Sequence, residues 1–245
     1  MAYSYNGSNQ YHGRGDTCGL SDYPLSVGLW FNNPLTQSYS YCFSLIRTAS
    51  PSLHQFNLVV RSSGEFRAYS RDGGGASFAA ASATANADTW HHGLAVFVGT
   101  HDRRCYLDGG NQGTNSTYRD PWEGGYLDAT WLARGYGGQY SNSKLAWAGL
   151  WDAALDDADA AALGKGWHPT LIKPQNLVAF WPLGGLDPQD PKDRWGGYDL
   201  TAYNAPTEVD HPAGLLYPQG PQIVAPGAAP PASLVPWHLM IGSAA

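Results

Sequence analysis

Basic residues are scarce in this chain: 14 Lys plus Arg stand against 20 Asp plus Glu in 245 residues, a formal net charge of −6. Phosphate backbones are held by basic stripes, and none is found, so nucleic acid is not an expected partner. No apolar run is long enough to span a bilayer, so no membrane partner is expected either. The residues after Met1 lack the basic and apolar regions of a secretory signal, so synthesis in the cytoplasm is expected. Cysteine is limited to Cys18, Cys42 and Cys105, widely spaced and without C-x-x-C. That argues against a disulfide framework or a zinc site and for buried free thiols. A nucleophile elbow, an H-E-x-x-H run and a paired His-carboxylate segment are also missing, so no enzyme activity is expected.

What the chain has in quantity is glycine (30), tyrosine (15) and tryptophan (10), a composition of turn-rich sheet rather than helix. Residues 90–110 set the pattern. Trp90, His92, Leu94, Val96 and Val98 share one side of a strand, and Gly93, Ala95 and Phe97 the other. Both faces carry apolar groups, so a central strand is expected, with His91 and His92 as core and ladder residues rather than a metal pair. Arg103, Cys105 and Leu107 then alternate with Arg104 and Tyr106 before Asp108-Gly109-Gly110, residues suited to the positive φ of a tight turn. The two segments read as one hairpin.

Leu25, Val27, Leu29 and Phe31 mark an earlier strand, ended by Asn32-Asn33-Pro34 because proline cannot donate to a ladder. Residues 41–48, 55–61 and 65–70 continue as a meander, with Ser62-Ser63-Gly64 as a hairpin loop and Asp72-Gly73-Gly74-Gly75 as a turn. Residues 4–11 read as a short strand with a glycine turn and residues 76–87 as an exposed strand. Residues 128–135 and 145–152 read as further strands, the last apolar on both faces. One helix follows, with Asp156 as N-cap, Asp159 in a capping-box position and Gly164 at C′. Arg14-Gly15-Asp16 spells an integrin-binding tripeptide, but no other feature of the chain supports adhesion through it.

Two loops carry the signals of a binding surface. Residues 117–125 hold Tyr118 and Trp122 in a stretch whose Pro and Gly content forbids a regular strand. Residues 135–142 bring Tyr136, Tyr140 and side-chain amides able to hydrogen-bond hydroxyls. With Tyr126 these form a candidate glycan-binding set, since aromatic rings stack on sugars. The alternative is that the rings cap the ends of a sandwich.

Trp90, His92, Ala95, Val96 and Val98, followed by Tyr106-Leu107-Asp108-Gly109, resemble the core hairpin of laminin-G-like domains in the concanavalin-A-like superfamily. Tyr5, Gly7, Ser8 and Tyr11 are similar to the segment that opens that core. Residues 128–135, the strand around Gly149 and the helix after it follow in the family's order. The resemblance implies an all-β, two-sheet antiparallel jelly-roll sandwich with one short helix. Residues 176–183, then Asp193, Gly196, Asp199, Leu200 and Thr201, are similar to the family's usual opening but stand here after the helix. The order is thus circularly shifted, and one domain over residues 1–210 is expected, its last strand at about 176–183 filling a sheet slot from the other end of the chain. The competing reading is a truncated second repeat with too few strands to bury a core. Hydrolases of the superfamily carry E-x-D-x-E or E-x-D-x-x-E; here Glu65, Glu123 and Glu208 are the three glutamates, and only Glu208 has an aspartate two residues on, Asp210, with no glutamate after it to complete either pattern, so that chemistry is not expected. Some laminin-G-like domains hold calcium with loop aspartates, but no ligand set is assignable to Asp16, Asp22 or Asp108, and no other cofactor is expected.

The shifted order, together with His211, Pro212, Leu215, Leu216, Tyr217 and Pro218, resembles phage-encoded laminin-G-like proteins. The resemblance implies a non-enzymatic virion protein, a capsid decoration or tail-associated accessory protein with glycan attachment as an added role. The alternative is a lectin-like carbohydrate-binding module not tied to a virion. The prolines of residues 211–245 forbid helix and central strand, while Leu234, Val235, Trp237, Leu239, Met240 and Ile241 are too apolar for a solvated linker. An extended arm is expected, docked on other virion proteins or copies of this chain, or else folded back across its own sandwich.

Overall fold

Period-two alternation of apolar and polar side chains dominates this chain, and a strand is the element that turns such a pattern into one buried face. The computed structural model describes residues 2–49, 54–184 and 192–216. Within them run β1 (Ala2–Ser4), β2 (Tyr11–Arg14), β3 (Leu25–Asn32), β4 (Ser40–Ile46), β5 (Gln55–Val60), β6 (Glu65–Asp72), β7 (Gly75–Thr84), β8 (Trp90–Gly99), β9 (Asp102–Leu107) and β10 (Gly110–Asn115). They continue as β11 (Ala129–Leu132), β12 (Lys144–Trp151), α1 (Asp157–Gly164), β13 (Leu177–Trp181), β14 (Thr201–Tyr203) and β15 (Thr207–Val209). Strand makes up 47%, in two antiparallel sheets that form the expected jelly-roll sandwich. Sheet A has the order β10-β9-β8-β3-β12-β1-β15 with β13 also on β12, and sheet B the order β14-β2-β11-β4-β5-β6-β7.

Between the sheets lies the main core: Leu25, Val27, Leu29 and Phe31 from β3 and Ala95 and Phe97 from β8 meet Phe43, Leu45, Phe56, Leu58 and Phe66 of sheet B. The three thiols are free and buried, and burial pushes each pKa up to about 12. A second apolar cluster covers the other face of sheet A, where Leu94, Val96, Tyr106, Trp147, Trp151 and Phe180 pack under Leu155, Ala160, Leu163 and Ile172. The strands read as apolar on both faces, β8 and β12, are the ones caught between these two clusters. Asp108 (φ 54°) and Gly109 (φ 76°) make the two-residue hairpin turn after β9. The Asp108 carboxylate accepts from the His92 backbone N–H at 2.9 Å and meets His91 Nδ1 at 2.7 Å.

The helix begins as expected, with a complete capping box between Asp156 and Asp159. Its end differs: Gly164 is the last helical residue, Lys165 is the C-cap, and Gly166 (φ 86°) takes the left-handed position expected of Gly164. Gly166 N–H bonds Leu163 O and Trp167 N–H bonds Ala162 O, a Schellman ending. Gly164 serves another purpose, because a Cβ there would lie 2.4 Å from Gly109 N and 2.5 Å from Gly109 Cα; the helix can touch the hairpin turn because both positions lack a side chain.

Residues 4–11 are not one strand but a crossover: β1 belongs to sheet A and β2 to sheet B, and the Asn6 side chain closes the bend by accepting from the N–H groups of Ser8 and Asn9. The late strand β13 pairs with residues 148–151 of β12, and β1 pairs with Lys144 and Leu145 on the same strand, so the chain's early and late segments share one slot end to end. The loop after β13 is gathered on Asp193, whose carboxylate accepts from the backbone N–H groups of Phe180, Trp195, Gly196 and Tyr198. Two strands beyond residue 183 went unread in the sequence, β14 on β2 and β15 on β1. Each has three residues at a sheet edge, too few for a periodic signal. The arm residues Leu234, Val235, Trp237, Leu239, Met240 and Ile241 lie outside the described residues.

Candidate functional site

Sheet B turns its polar side chains away from the core. On β5, Phe56, Leu58 and Val60 point inward, which leaves Gln55, Asn57 and Val59 outside; on β6, Phe66 and Ala68 point inward and Glu65, Arg67, Tyr69 and Arg71 outside. The register sets Gly13, Trp131, Ser44, Asn57, Tyr69 and Phe78 in one row across the outer face. Ser44 and Asn57 form a short-chained floor between Trp131 and Tyr69, about 14 Å apart at three strand spacings. The floor is fully buried. Asn57 Nδ2 donates to Gln55 Oε1 at 2.8 Å, but Asn57 Oδ1 has no partner, and neither do the buried Nε atoms of Arg67, Arg71 and Arg134 or Nδ1 of His54. Buried polar atoms without partners cost about 1–3 kcal/mol each, so this face is held at a cost to stability.

At the β2 side of the floor lies an aromatic platform. The Arg134 guanidinium carbon sits 4.0 Å from the Trp131 ring centre and 4.5 Å from that of Tyr11, while Tyr11 and Tyr203 stack at 4.2 Å and 1°. Burial raises the Tyr11 phenol pKa, opposed by the Arg134 charge, and burial likewise raises that of Tyr41, so both hydroxyls stay protonated near neutral pH. At the opposite side the Arg67 guanidinium lies 3.6 Å over the Phe78 ring and pairs with Glu65 at 2.7 Å. Such a surface can stack on apolar ring faces and hydrogen-bond hydroxyls.

The five loop aromatics are not brought together, and no two of their rings touch. Tyr140 joins the platform, 5.9 Å from Tyr11, and Tyr126 stacks on His54 and Arg47 beyond the end of β4. Tyr136 is exposed in the loop whose Gly135 lies against the Tyr41 ring. Trp122 packs inward on Phe56 at 5.4 Å and belongs to the edge of the core. Tyr118 stacks on His101 beside a polar cleft of about 750 Å³ on sheet A, lined by Asp102, Arg104, Gln112, Thr114 and Asp157 among others. The outer residues of β5, β6 and β11 were missed. Their signal, Gln-x-Asn and Glu-x-Arg-x-Tyr-x-Arg against an apolar alternate, is legible as polar alternation, but its convergence with Trp131 needs the register.

Both ring nitrogens of His91 are engaged, Nδ1 by Asp108 and Nε2 by the Asn86 N–H at 2.9 Å, so the pair is part of the ladder rather than a general base. Arg14 and Asp16 of the tripeptide pair with each other. No group of three or more His, Cys, Asp or Glu side chains among the described residues converges as a metal set.

A two-sheet antiparallel sandwich with an apolar layer over one sheet and a polar, aromatic-flanked outer face on the other is a β-sandwich of the jelly-roll class. A family model described as the concanavalin A-like lectin/glucanases superfamily, laminin-G type, matches residues 6–161, and the chain belongs to that family. No curated protein matches it in sequence. Among solved structures, a putative carbohydrate binding protein from Bacteroides ovatus is similar at TM-score 0.60 and 13% identity, over 85% of this chain and 61% of that one. Domain 4 of the extracellular arabinanase AbnA from Geobacillus stearothermophilus, in complex with arabinotriose, is similar at TM-score 0.55 and 16% identity, over 66% and 76%. The CBM40 of the Ruminococcus gnavus IT-sialidase, bound to α2,3 sialyllactose, is similar at TM-score 0.52 and 10% identity, over 67% and 96%. At these identities the likeness establishes the fold.

Proposed function

We propose that this chain is a non-catalytic carbohydrate-binding module whose ligand lies on the outer face of sheet B. The observation that carries the reading is the buried Ser44 and Asn57 floor, with an unpartnered Asn57 oxygen, set between Trp131 and Tyr69. Sugars offer what this surface lacks: hydroxyls for the unpartnered groups and C–H faces for the rings. That carbohydrate ligands are named for domains of the same fold supports the reading. The test is a glycan array probed with the full chain and with Trp131→Ala and Tyr118→Ala. A glycan bound by the parent and lost with Trp131→Ala is expected; one lost with Tyr118→Ala instead would move the site to the cleft on sheet A.

A virion role, with assembly through residues 211–245, stays a proposal carried by the sequence resemblance. One observation bears on the arm: Trp167 and Leu216, bridged to each other, are large apolar side chains exposed where the described chain ends. Deleting residues 234–245 and measuring incorporation into purified particles, beside thermal melting, tests it. Loss of incorporation with an unchanged melt supports the arm as an assembly element, and unchanged incorporation removes it.

A further inference from the structure

The cations of this acidic chain are unevenly placed. Arg67 and Arg71 lie on the outer face of sheet B, Arg47 and Arg61 follow β4 and β5 at its two ends, and Arg134 follows β11. No lysine lies on a strand of this sheet. Of the other cations, Arg14 is matched to Asp16, Arg104 to Asp102, and Lys173 to Asp156 and Asp159, while Arg103 and Arg119 donate to Asn115 and to backbone carbonyls, and Lys144 and Lys165 have no carboxylate partner among the described residues. Around this face the acids are already engaged, Glu65 by Arg67 and Asp128 by the N–H and hydroxyl of Thr48. Among the described residues, Arg47, Arg61, Arg71 and Arg134 have no carboxylate partner; Arg47, Arg61 and Arg134 lie instead over rings of Tyr126, Tyr39 and Trp131.

Stacking of this kind keeps a guanidinium desolvated on one face and leaves its edge N–H groups free, the geometry that meets an anionic oxygen pair in a fork. A chain of net charge −6 repels polyanions at long range, so four unmatched arginines are not a general solubility device. We infer that the ligand of this face is an anionic saccharide, its carboxylate or sulfate groups met by Arg71 and Arg134 and, along a longer chain, by Arg47 and Arg61. The inference rests on the glycan reading of the same face and adds the charge of the sugar.

Affinity electrophoresis of the full chain through gels containing polygalacturonate, chondroitin sulfate or dextran tests it. Retardation by a polyanion and not by dextran is expected, weakening as salt screens the contacts. Retardation by polygalacturonate alone assigns carboxylate, and by chondroitin sulfate alone assigns sulfate. Replacing Arg71 and Arg134 together by Gln is expected to weaken binding at least about tenfold without changing the melt, while Lys165→Gln, an exposed cation away from the face, leaves binding unchanged. If that double variant melts early, Arg47→Gln with Arg61→Gln at the ends of the face serves the same test. A neutral glycan bound as tightly, or arginine variants with unchanged affinity, would overturn the anionic inference and leave the carbohydrate reading standing. Failure of the parent chain on these gels and on the whole glycan array would remove both.

Discussion

The outer faces of the two sheets are built on opposite principles. That of sheet A is sealed over β8, β12 and β13: Leu94, Val96, Trp147, Trp151 and Phe180 lie beneath an apolar layer from α1 and the segment after it, and Trp151 Nε1 still finds a carbonyl, Ile172 O, at 2.8 Å. That of sheet B holds amides, hydroxyls and guanidinium groups, several buried without partners. Since the core between the sheets serves both equally, the sealed face is held for stability and the polar one at a cost to it. Trp151→Ala should therefore have the largest effect of any change considered, a loss of about 3–5 kcal/mol from the cavity it leaves. That is a large share of a domain's total stability, and chemical denaturation of Trp151→Ala beside Trp131→Ala measures the contrast. Equal losses at the two tryptophans would break it.

Acid attacks the sealed side without a mutation. Burial pushes the pKa of His92, on the outer face of β8, down to about 4, and burial does the same to His12 behind β2. Both are neutral in the fold, whereas the unfolded chain takes up protons below about pH 6.5. Stability from these two groups is complete above about 6.5 and falls until about 4, on the order of 3 kcal/mol for each. Melting temperatures measured from pH 7 to 4 should show that decline, and His92→Leu should make it shallower. A flat profile would mean that neither ring is sealed from protons.

A smaller change separates the helix from the hairpin. In Gly164→Ala the added carbon meets backbone of Gly109 and Asp108, which cannot swing aside, so about 1–3 kcal/mol should be lost although alanine is the better helix former. A gain in melting temperature would show that α1 lies on sheet A more loosely than these distances allow.

How much of this was legible in the sequence follows the same division. The sealed face announced itself, because Leu94 and Val96 opposite Ala95 and Phe97 are apolar on both sides of one strand, a pattern that needs only local spacing. The capping box at Asp156 and the Asp108-Gly109 turn are local too. The polar face is a non-local object: Trp131 and Asn57 are far apart in the chain and meet across β4 through the register. Tyr118, Trp122, Tyr126, Tyr136 and Tyr140 stand out in the sequence as aromatic rings among Gly and Pro, whereas Gln55, Asn57, Arg67 and Arg71 look like the ordinary solvated side of two strands. Gly164 was misplaced for a related reason, since its partner is the backbone of Gly109 rather than its own helix.

The smallest expected effect on stability is at Asn57, where the change removes one buried cost and creates another. Asn57 is fully buried, gives one hydrogen bond to Gln55 and leaves its oxygen unpartnered. Asn57→Leu, similar in branching, relieves a buried oxygen that costs about 1–3 kcal/mol but removes the bond to Gln55 and leaves the buried Gln55 Oε1 unsatisfied at a comparable cost. The two costs nearly cancel, so stability is expected to stay within about 1 kcal/mol of the parent and the melting temperature within a few degrees, while glycan retention falls because the floor no longer offers an acceptor. A polar residue kept for packing would behave in the opposite way. A loss of more than about 1 kcal/mol in Asn57→Leu, with retention intact, would make the outer face of sheet B another structural surface and erase the distinction between the two sheets.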